Sequence, residues 1–337
     1  MANILADSRW VGPHGIGRFA GEVLKRLGDW QHLANAGSPL DPLDPLRVTR
    51  ALKRLRPDAY FSPGFNPPLR CATPFVFTIH DLIHLRFRRE SGMLRRAYYG
   101  LVVRPAARRA FRVLTVSRYS KRQIVAWAEL PQEKVVVVGN GVGAPFVPAG
   151  RRHRAGYRYL LHVGSGKPHK NIPRLLEAFA ALGADCELRL VFTGQARPAM
   201  EKQIRKLRLA DRVSFVGVLD DEALSAHYRG AAALVLPSLC EGFGLPALEA
   251  MACGTPVVAS NVASLPEVVL DAALLVDPYD VRSIAHGIRR IVEDQDLRKT
   301  LVQKGLRRAG DFSWDRTAAL VRRVLEQAAE ASSRNDP

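Results

Sequence analysis

The feature that most constrains the fold of this chain is the alternation of short apolar runs with helical patterns. The apolar runs predict strands at Asn3–Ala6, Ala59–Ser62, Phe75–Ile79, Val113–Val116, Val135–Val138, Tyr159–Val163, Leu188–Thr193, Val213–Val216, Ala233–Leu236, Pro256–Ala259 and Leu274–Val276. The helical patterns between them lie at Ile16–Leu27, Leu46–Leu55, Ser120–Ala128, Ile172–Leu182, Ala199–Leu209, Glu222–Arg229 and Ala247–Ala252. Such alternation indicates parallel sheets whose strands are joined by crossover helices.

The length of 337 residues exceeds that of most single hydrophobic cores, so we expect two domains, with one large barrel as the alternative. The best linker candidate is Pro145–Arg158, which is rich in Pro, Gly and Arg and has no strand or helix period. We therefore predict two doubly wound α/β domains at residues 1–150 and 151–313, with the ligand in the cleft between them at the carboxyl ends of the strands. A final helix at about residues 314–332 is expected to pack back on the first domain.

The composition, with 47% hydrophobic and 24% charged residues, is typical of a soluble globular protein. No apolar run approaches the roughly 18 to 20 residues that cross a bilayer, and Asp7 lies where a signal peptide would be basic or apolar. We therefore expect a cytoplasmic protein. The cysteines form no C-x-x-C pair, which argues against a zinc ribbon and a disulfide scaffold.

The net charge of +18 leaves three kinds of partner open: nucleic acid, an anionic membrane surface and an acidic substrate. Part of the excess lies in the basic segment Arg86–Arg112, which holds nine arginines and one acid, Glu90. Its apolar residues recur at a spacing of three and four, which fits a helix with an apolar stripe and a basic face. A helix at the membrane surface and an ordinary packed helix with solvated arginines both fit this pattern.

Three short patterns resemble ligand-binding motifs but fail on inspection. Gly164-Ser-Gly166-Lys167 lacks the earlier glycine of a phosphate loop, because position 161 is Leu. His80-Asp-Leu-Ile-His84 follows a predicted strand, so its two histidines do not share one helical face as a zinc motif needs. Asp294-Gln-Asp296 lies where acids start a helix. We therefore expect no metal site.

The most informative segment is Glu241-Gly-Phe-Gly-Leu-Pro-Ala-Leu-Glu249, which follows a predicted strand and leads into a helix. A glycine-containing loop at a helix N-terminus presents free N–H groups and the positive end of the helix dipole, which suits a diphosphate. The carboxylates of Glu241 and Glu249 can accept hydrogen bonds from the hydroxyls of two sugars. The pattern thus favours a nucleotide-sugar site.

This segment resembles the E-x7-E donor site of the retaining glycosyltransferases of family 4, which have the GT-B fold. Other parts of the chain agree: Gly15-Ile-Gly17-Arg18 resembles the N-terminal glycine loop of that family, His80-Asp81 its acceptor-side pair, Val116-Ser117 with Ser120 its V-S-x-x-S helix start, and Asn140-Gly141-Val142 its N-G-V turn. The resemblance therefore covers almost the full length and implies a GT-B fold of two Rossmann-like domains.

The resemblance also implies roles for individual residues. Donor binding is expected from Gly15, Gly17, Ser165, Lys167, Lys170, Val218, Glu241, Gly242, Phe243, Gly244, Leu245 and Glu249. Lys170 matches the lysine that neutralises the donor diphosphate, and His80, Glu241 and Lys170 are the expected catalytic residues. His80 and Asp81 would face the acceptor, although a core histidine and a helix-orienting aspartate are the alternatives. Many family members carry an arginine where this chain has Ser165, so Lys167 or His169 would have to supply that charge.

By the same resemblance the expected activity is transfer of a hexose with retention, with mannose from GDP-mannose as the best guess. The expected acceptor is a glycan or a polyprenyl-diphosphate-linked saccharide of cell-surface polysaccharide synthesis. The alternatives are an enzyme using UDP or another nucleotide, a GT-B nucleotide-sugar epimerase, a sugar phosphorylase of the same two-domain architecture and a non-catalytic nucleic-acid-binding protein. The basic segment fits a peripheral location at the inner face of the cytoplasmic membrane. Neither a cofactor, beyond the donor substrate, nor a nucleic-acid partner is expected.

Overall fold

The computed structural model describes residues 2–28, 30–33, 37–87, 92–183 and 186–333. Its contacts divide the chain into two units, Met1–Gly141 with Ser313–Pro337, and Val142–Phe312. This division falls earlier than the boundary predicted at residue 150. The cause is Arg229, whose buried guanidinium donates to the carbonyls of Pro145, Val147 and Arg151 and so holds the predicted linker on the second unit.

The first unit is built on one parallel six-stranded sheet. Its strands are β1 (Ile4–Ala6), β2 (Gln31–His32), β3 (Ala59–Ser62), β4 (Phe75–Thr78), β5 (Arg112–Thr115) and β6 (Val135–Val137), in the order β2-β1-β3-β4-β5-β6. The strand order switches sides at β1, because β2 lies on one side of it and β3 on the other. In doubly wound folds the loops that follow the strands at such a switch point carry functional groups. Strands β1, β3 and β4 are buried throughout, as expected for a parallel sheet covered on both faces, and the fourth inner strand, β5, is buried except at Arg112.

Within the described ranges seven α-helices belong to this unit. They are α1 (Gly15–Leu27), α2 (Asp44–Leu55), α3 (Ile83–Arg86), α4 (Met93–Tyr98), α5 (Arg104–Arg109), α6 (Arg118–Ala128) and the C-terminal α14 (Trp314–Ser333), with a π-helical turn at Tyr99–Val103 between α4 and α5. Helix α14 packs on α1 and on strands β3 and β4. Its first residue, Trp314, lies edge-to-face on Phe19 and against Gly141.

The second unit holds a second parallel sheet of six strands. These are β7 (Tyr159–His162), β8 (Arg189–Phe192), β9 (Val213–Phe215), β10 (Ala233–Leu236), β11 (Val257–Ser260) and β12 (Leu274–Val276), in the order β12-β11-β10-β7-β8-β9. The chain runs outward from β7 to β9, returns beside β7 with β10, and runs outward the other way. The switch point of this sheet therefore lies between β7 and β10.

The second unit likewise contains α-helices. They are α7 (Ile172–Ala180), α8 (Pro198–Lys206), α9 (Asp221–Gly230), α10 (Leu245–Ala252), α11 (Leu265–Val269), α12 (Val281–Glu293) and α13 (Gln295–Gly310). Apolar faces of α7 and α12 pack on the sheet in one core cluster with residues such as Leu175, Phe179 and Ile288. In the described ranges no helix combines the length and apolarity that a bilayer crossing requires.

Every strand predicted from the apolar runs is present, with ends within about a residue or two of those expected. The structure adds β2, whose two residues Gln31 and His32 are exposed and carry no apolar pattern. The helix predicted in the basic segment is present as one continuous helical stretch over residues 93–109, in which α4, the π-helical turn and α5 follow one another directly. Arg88, Arg89 and Glu90 of that segment lie outside the described residues.

Candidate active site

The loops after β7 and β10 bring two of the predicted residues together at the switch point of the second sheet. Lys170 lies in a 3-10 turn after β7, and Glu241 lies in the loop after β10. The Lys170 Nζ donates to Glu241 Oε1 at 2.7 Å, and the two side chains are only 11% and 9% exposed. A buried ion pair at this position places a cation and a carboxylate where doubly wound sheets bind nucleotides.

The surroundings of Glu241 keep its carboxylate ionised. The hydroxyl of Ser238 donates to Oε1 at 2.6 Å, and the hydroxyl of Ser264 donates to the main-chain carbonyl of Glu241 at 2.9 Å. Burial by itself would raise the pKa of Glu241, but Lys170, His169 and Ser238 together hold that pKa below its ordinary value. The carboxylate is therefore a fixed hydrogen-bond acceptor at neutral pH.

The glycine-containing loop leads directly into α10, as the sequence predicts. Gly244 precedes the helix with φ 102°, a conformation that favours glycine, and Leu245 and Pro246 form the first turn. The side chain of Phe243 is buried against the ring of Phe312, with centroids 5.6 Å apart. Phe243, like Gly242, can therefore offer a ligand only its main chain.

Glu249 lies inside α10 and is buried in the second unit. The hydroxyl of Tyr228, on α9, donates to Glu249 Oε2 at 2.9 Å. This tyrosine is fully buried, so it fixes the orientation of the carboxylate. No local sequence pattern connects Tyr228 with Glu249, so this tyrosine was not among the predicted residues.

The loop after β7 carries the other predicted donor residues of the second unit. Ser165 and Lys167 are exposed, and the main-chain N–H of Lys167 donates to the carbonyl of Ser165 at 2.7 Å. Arg197, which the sequence analysis missed, lies on this loop from the start of α8. Val218, after β9, is 88% exposed.

In the first unit His80 follows β4, and its ring is half-buried edge-to-face against Phe19. The Nε2–H donates to the carbonyl of Pro63 at 2.9 Å, which leaves Nδ1 as the unprotonated nitrogen. Desolvation lowers the pKa of His80 to about 4 against the opposing effect of that carbonyl. His80 is therefore a neutral imidazole at pH 7, and it can accept a proton or a hydrogen bond at Nδ1.

Asp81 accepts a hydrogen bond from the main-chain N–H of Ile83 at 3.0 Å and thereby orients the start of α3.

The two glycines at the start of α1 differ in role. Gly15 has open space around the position of a Cβ atom, whereas a methyl group on Gly17 would lie 2.2 Å from the carbonyl oxygen of Gly12. This close approach to Gly12 explains why a glycine occupies position 17. The N–H of Gly17 is already hydrogen-bonded, since it donates to the His14 ring at 2.8 Å.

The candidate residues thus form two groups, one in each unit. Lys170, Glu241 and the loop before α10 form one site at the switch point of the second sheet. A concavity of about 480 Å³ in the first unit is lined by α6 and β6 and contains none of the candidate residues. Among the residues that the structure describes, no group of three or more His, Cys, Asp or Glu side chains is arranged to hold a metal ion.

Ser238 is a further residue that the sequence analysis did not assign. It stands two residues after the end of β10, where polar side chains of a doubly wound sheet reach ligands, so its position carried a usable signal. The function of Arg197 was harder to predict from the sequence, because it is a single charged residue in the loop after β8 and belongs to no recognisable motif.

Comparison with known proteins extends over both units. Residues 7–144 match the model of Glycosyltransferase Family 4, and residues 146–308 match that of Glycosyl transferases group 1. The chain is 31% identical to the O-antigen chain mannosyltransferase B of Escherichia coli over 81% of its own length and 75% of that protein. It is 34% identical to the MMP alpha-(1->4)-mannosyltransferase of Mycolicibacterium hassiacum over 87% of its length and 76% of that protein.

Among solved structures, the sucrose-phosphate synthase of Thermosynechococcus elongatus superimposes with a TM-score of 0.80 at 22% identity. The superposition covers 98% of this chain and 100% of the synthase chain. The fold class predicted from the sequence, two doubly wound Rossmann-like units of the GT-B type, is confirmed by the two parallel sheets and by this likeness. The chain is a glycosyltransferase and belongs to glycosyltransferase family 4.

Proposed function

We propose that the enzyme transfers mannose from GDP-mannose, with retention, to a glycan or a polyprenyl-diphosphate-linked saccharide in cell-surface polysaccharide synthesis. The observation that carries the donor part is the buried pair of Lys170 and Glu241 at the switch point, beside the loop that starts α10. The choice of mannose and of a cell-surface product follows the two relatives, both of which are mannosyltransferases and one of which acts on the O-antigen chain.

In this proposal Lys170 and the N-terminus of α10 bind the diphosphate, Glu241 the transferred sugar, and Glu249 the ribose. An ammonium group has three N–H donors, so Lys170 can keep its bond to Glu241 and still donate to a phosphate oxygen. The ammonium then stabilises the charge that develops on the leaving diphosphate as the bond to the anomeric carbon breaks. Val218 and its neighbours after β9 offer main-chain contacts to the base.

The acceptor hydroxyl attacks the anomeric carbon from the face that the diphosphate leaves, and its proton passes to the departing diphosphate oxygen. Attack on this face retains the configuration. His80 is proposed to contact the reacting sugar as a neutral ring, in agreement with its pKa of about 4. Positioning and electrostatic stabilisation supply most of the rate in this mechanism. We propose no metal and no cofactor for it.

The test is a panel of GDP-mannose, GDP-glucose, UDP-glucose, ADP-glucose and dTDP-glucose, scored for saturable binding and for slow release of nucleoside diphosphate. We expect GDP-mannose to bind most tightly and to release GDP. In Glu241→Gln and Lys170→Met this release is expected to fall by at least about a hundredfold, whereas Glu326→Gln, an exposed change on α14, leaves it intact. Preference for another nucleotide would refute the donor assignment, and an epimerised sugar nucleotide as product would refute transfer.

We also propose that the basic segment binds a phosphorylated carrier or anionic lipid at the inner face of the cytoplasmic membrane. Its buried side chains, including Tyr99 and Val103, pack in the first unit, whereas Met93, Leu94 and Leu101 are 87%, 88% and 78% exposed. Exposed apolar side chains beside arginines are the features of a helix that lies in a membrane surface.

The arginines of this segment are not equivalent. Arg104 and Arg108 both form ion pairs with Glu129, whereas in the described part of the chain Arg95 and Arg96 have no acidic partner. We therefore expect reversal of Arg95 and Arg96 to glutamate to abolish co-sedimentation with phosphatidylglycerol vesicles. Reversal of Arg205 and Arg208, which lie in the second unit, serves as the control. Equal co-sedimentation of both double variants would count against membrane binding.

A further inference from the structure

We propose that Arg197 binds the diphosphate of the donor and takes the place of the arginine that family members carry where this chain has Ser165. The inference rests on the proposed function, because it names a further residue of the same donor site. Arg197 precedes α8, in the loop after β8, and is exposed. Strands β7 and β8 are hydrogen-bonded neighbours, so the loops that follow them meet at the carboxyl edge of the sheet.

Two cationic side chains flank the loop after β7. A methyl group placed on Gly164 would lie 3.0 Å from Lys170 Cε, and one placed on Gly166 would lie 2.9 Å from Arg197 Nε and 3.0 Å from its Cδ. The arginine side chain therefore lies directly against the main chain of Gly166, beside Ser165. Only a glycine at position 166 leaves room for it in this arrangement.

The two cations differ in what they already bind. Lys170 is buried and paired with Glu241 at 2.7 Å. Arg197 has neither a carboxylate nor a hydrogen-bond partner for its guanidinium within the described ranges. A planar guanidinium binds phosphate through two parallel N–H bonds, and one without a carboxylate partner has no ion pair to break when an anion approaches. Arg197 is thus an exposed cation at this loop that is available to a diphosphate.

Lys167 is the rival for this role, since it is exposed on the same loop. Its main-chain N–H is bonded back to Ser165, and its side chain is a flexible single-point donor. The variant Lys167→Ala removes the same charge from the same loop as Arg197→Ala does. It therefore tests the rival assignment, and Lys202→Ala, which removes an exposed charge on α8, is the control.

The experiment measures dissociation constants by calorimetry for GDP, UDP, ADP and dTDP and, for the preferred nucleotide, for the nucleoside without phosphate by NMR. We expect Arg197→Ala to weaken binding of the diphosphate roughly ten- to a hundredfold, as for a lost bond to a charged group, and to leave nucleoside binding unchanged. Arg197→Lys should recover part of the loss. Lys202→Ala should leave binding within about threefold, in the range of an exposed charge contact, and Lys167→Ala should weaken binding by less than Arg197→Ala does.

The double variant Ser165→Arg/Arg197→Ala tests the replacement itself. Recovery of diphosphate affinity to within about threefold of the unaltered chain would support it, by the same fold-change criterion. No recovery would overturn the claim that Arg197 replaces an arginine at position 165. Equal losses in Arg197→Ala and Lys167→Ala, or a loss that extends to the nucleoside, would overturn the assignment of Arg197 to the diphosphate. If the unaltered chain bound none of the four diphosphates, the proposed function would fail and this inference with it.

Discussion

Replacing Lys170 with methionine is expected to destabilise the second unit far more than the loss of an ordinary surface charge. Two unit charges 2.7 Å apart attract each other by about 6 kcal/mol at an effective dielectric constant near 20. Both side chains are about nine-tenths buried, so much of this attraction offsets the cost of removing the charges from water. Removal of the lysine alone leaves Glu241 buried without its counter-charge, which costs about 3 to 5 kcal/mol in free energy of unfolding.

The stability deficit of Lys170→Met is expected to depend on pH in a definite direction. In the unaltered chain the pKa of Glu241 lies below its ordinary value, so its stabilising contribution is present above about pH 4.5 and is lost as the pH falls through the folded pKa. In Lys170→Met burial dominates and raises that pKa above the ordinary value. The carboxyl group then protonates at mildly acid pH, and the stability deficit of the variant relative to the unaltered chain shrinks as the pH falls from 7 to 5.

The assay is urea unfolding followed by circular dichroism at pH 7 and pH 5. The control is Lys304→Met, which breaks an exposed ion pair with Asp271 of the same 2.7 Å length and is expected to cost about 0 to 1 kcal/mol. The double variant Lys170→Met/Glu241→Gln should recover part of the loss, since no buried charge remains. Equal costs for Lys170→Met and Lys304→Met, or a deficit that grows as the pH falls, would refute the reasoning.

Three further outcomes are expected. Desolvation lowers the pKa of the buried His162 to about 4, so stability should fall by about 3 kcal/mol as the pH drops from about 6.5 to 4, and His162→Asn should flatten this slope in urea unfolding. Tyr228→Phe removes the bond to Glu249 and should cost about 1 to 3 kcal/mol and weaken nucleotide binding in calorimetry; an unchanged dissociation constant would contradict the role of Glu249. Gly17→Ala places a methyl group 2.2 Å from the Gly12 carbonyl oxygen and should cost about 1 to 3 kcal/mol in thermal unfolding, whereas Gly15→Ala should be nearly neutral.

The regular elements were predictable because each strand of a parallel sheet is buried on both faces and so appears as a continuous apolar run. Runs such as Leu188–Thr193 and Val213–Val216 correspond to β8 and β9. The two-residue strand β2 was not predictable, because it is exposed and pairs only through its main chain. The contact of Arg229 with the stretch that resembles a linker was not predictable either, since it depends on tertiary structure.

The site was predictable in its local part and not in its long-range part. The local part is the segment from Glu241 to Glu249, which contains both the loop and the start of α10, so its sequence alone predicted them. Contacts across the sequence were not predictable: Tyr228 reaches Glu249 from α9, and Arg197 reaches Gly166 from the loop after β8. Such contacts depend on the order of strands in the sheet, because that order determines which loops are neighbours. The spacing of residues along the sequence does not reveal the strand order.

The charged groups at the switch point are of two kinds, a buried ion pair and exposed cations, and they are expected to contribute differently to the binding of an anionic donor. The pair of Lys170 and Glu241 is neutral as a whole, so it attracts an approaching diphosphate weakly and acts only when a phosphate oxygen reaches the remaining N–H donors of the lysine. Attraction over a distance must therefore come from exposed cations, and at this loop these are Arg197 and Lys167. It follows that loss of an exposed cation should lower the association rate and the salt dependence of donor binding, whereas loss of Lys170 should mainly raise the dissociation rate.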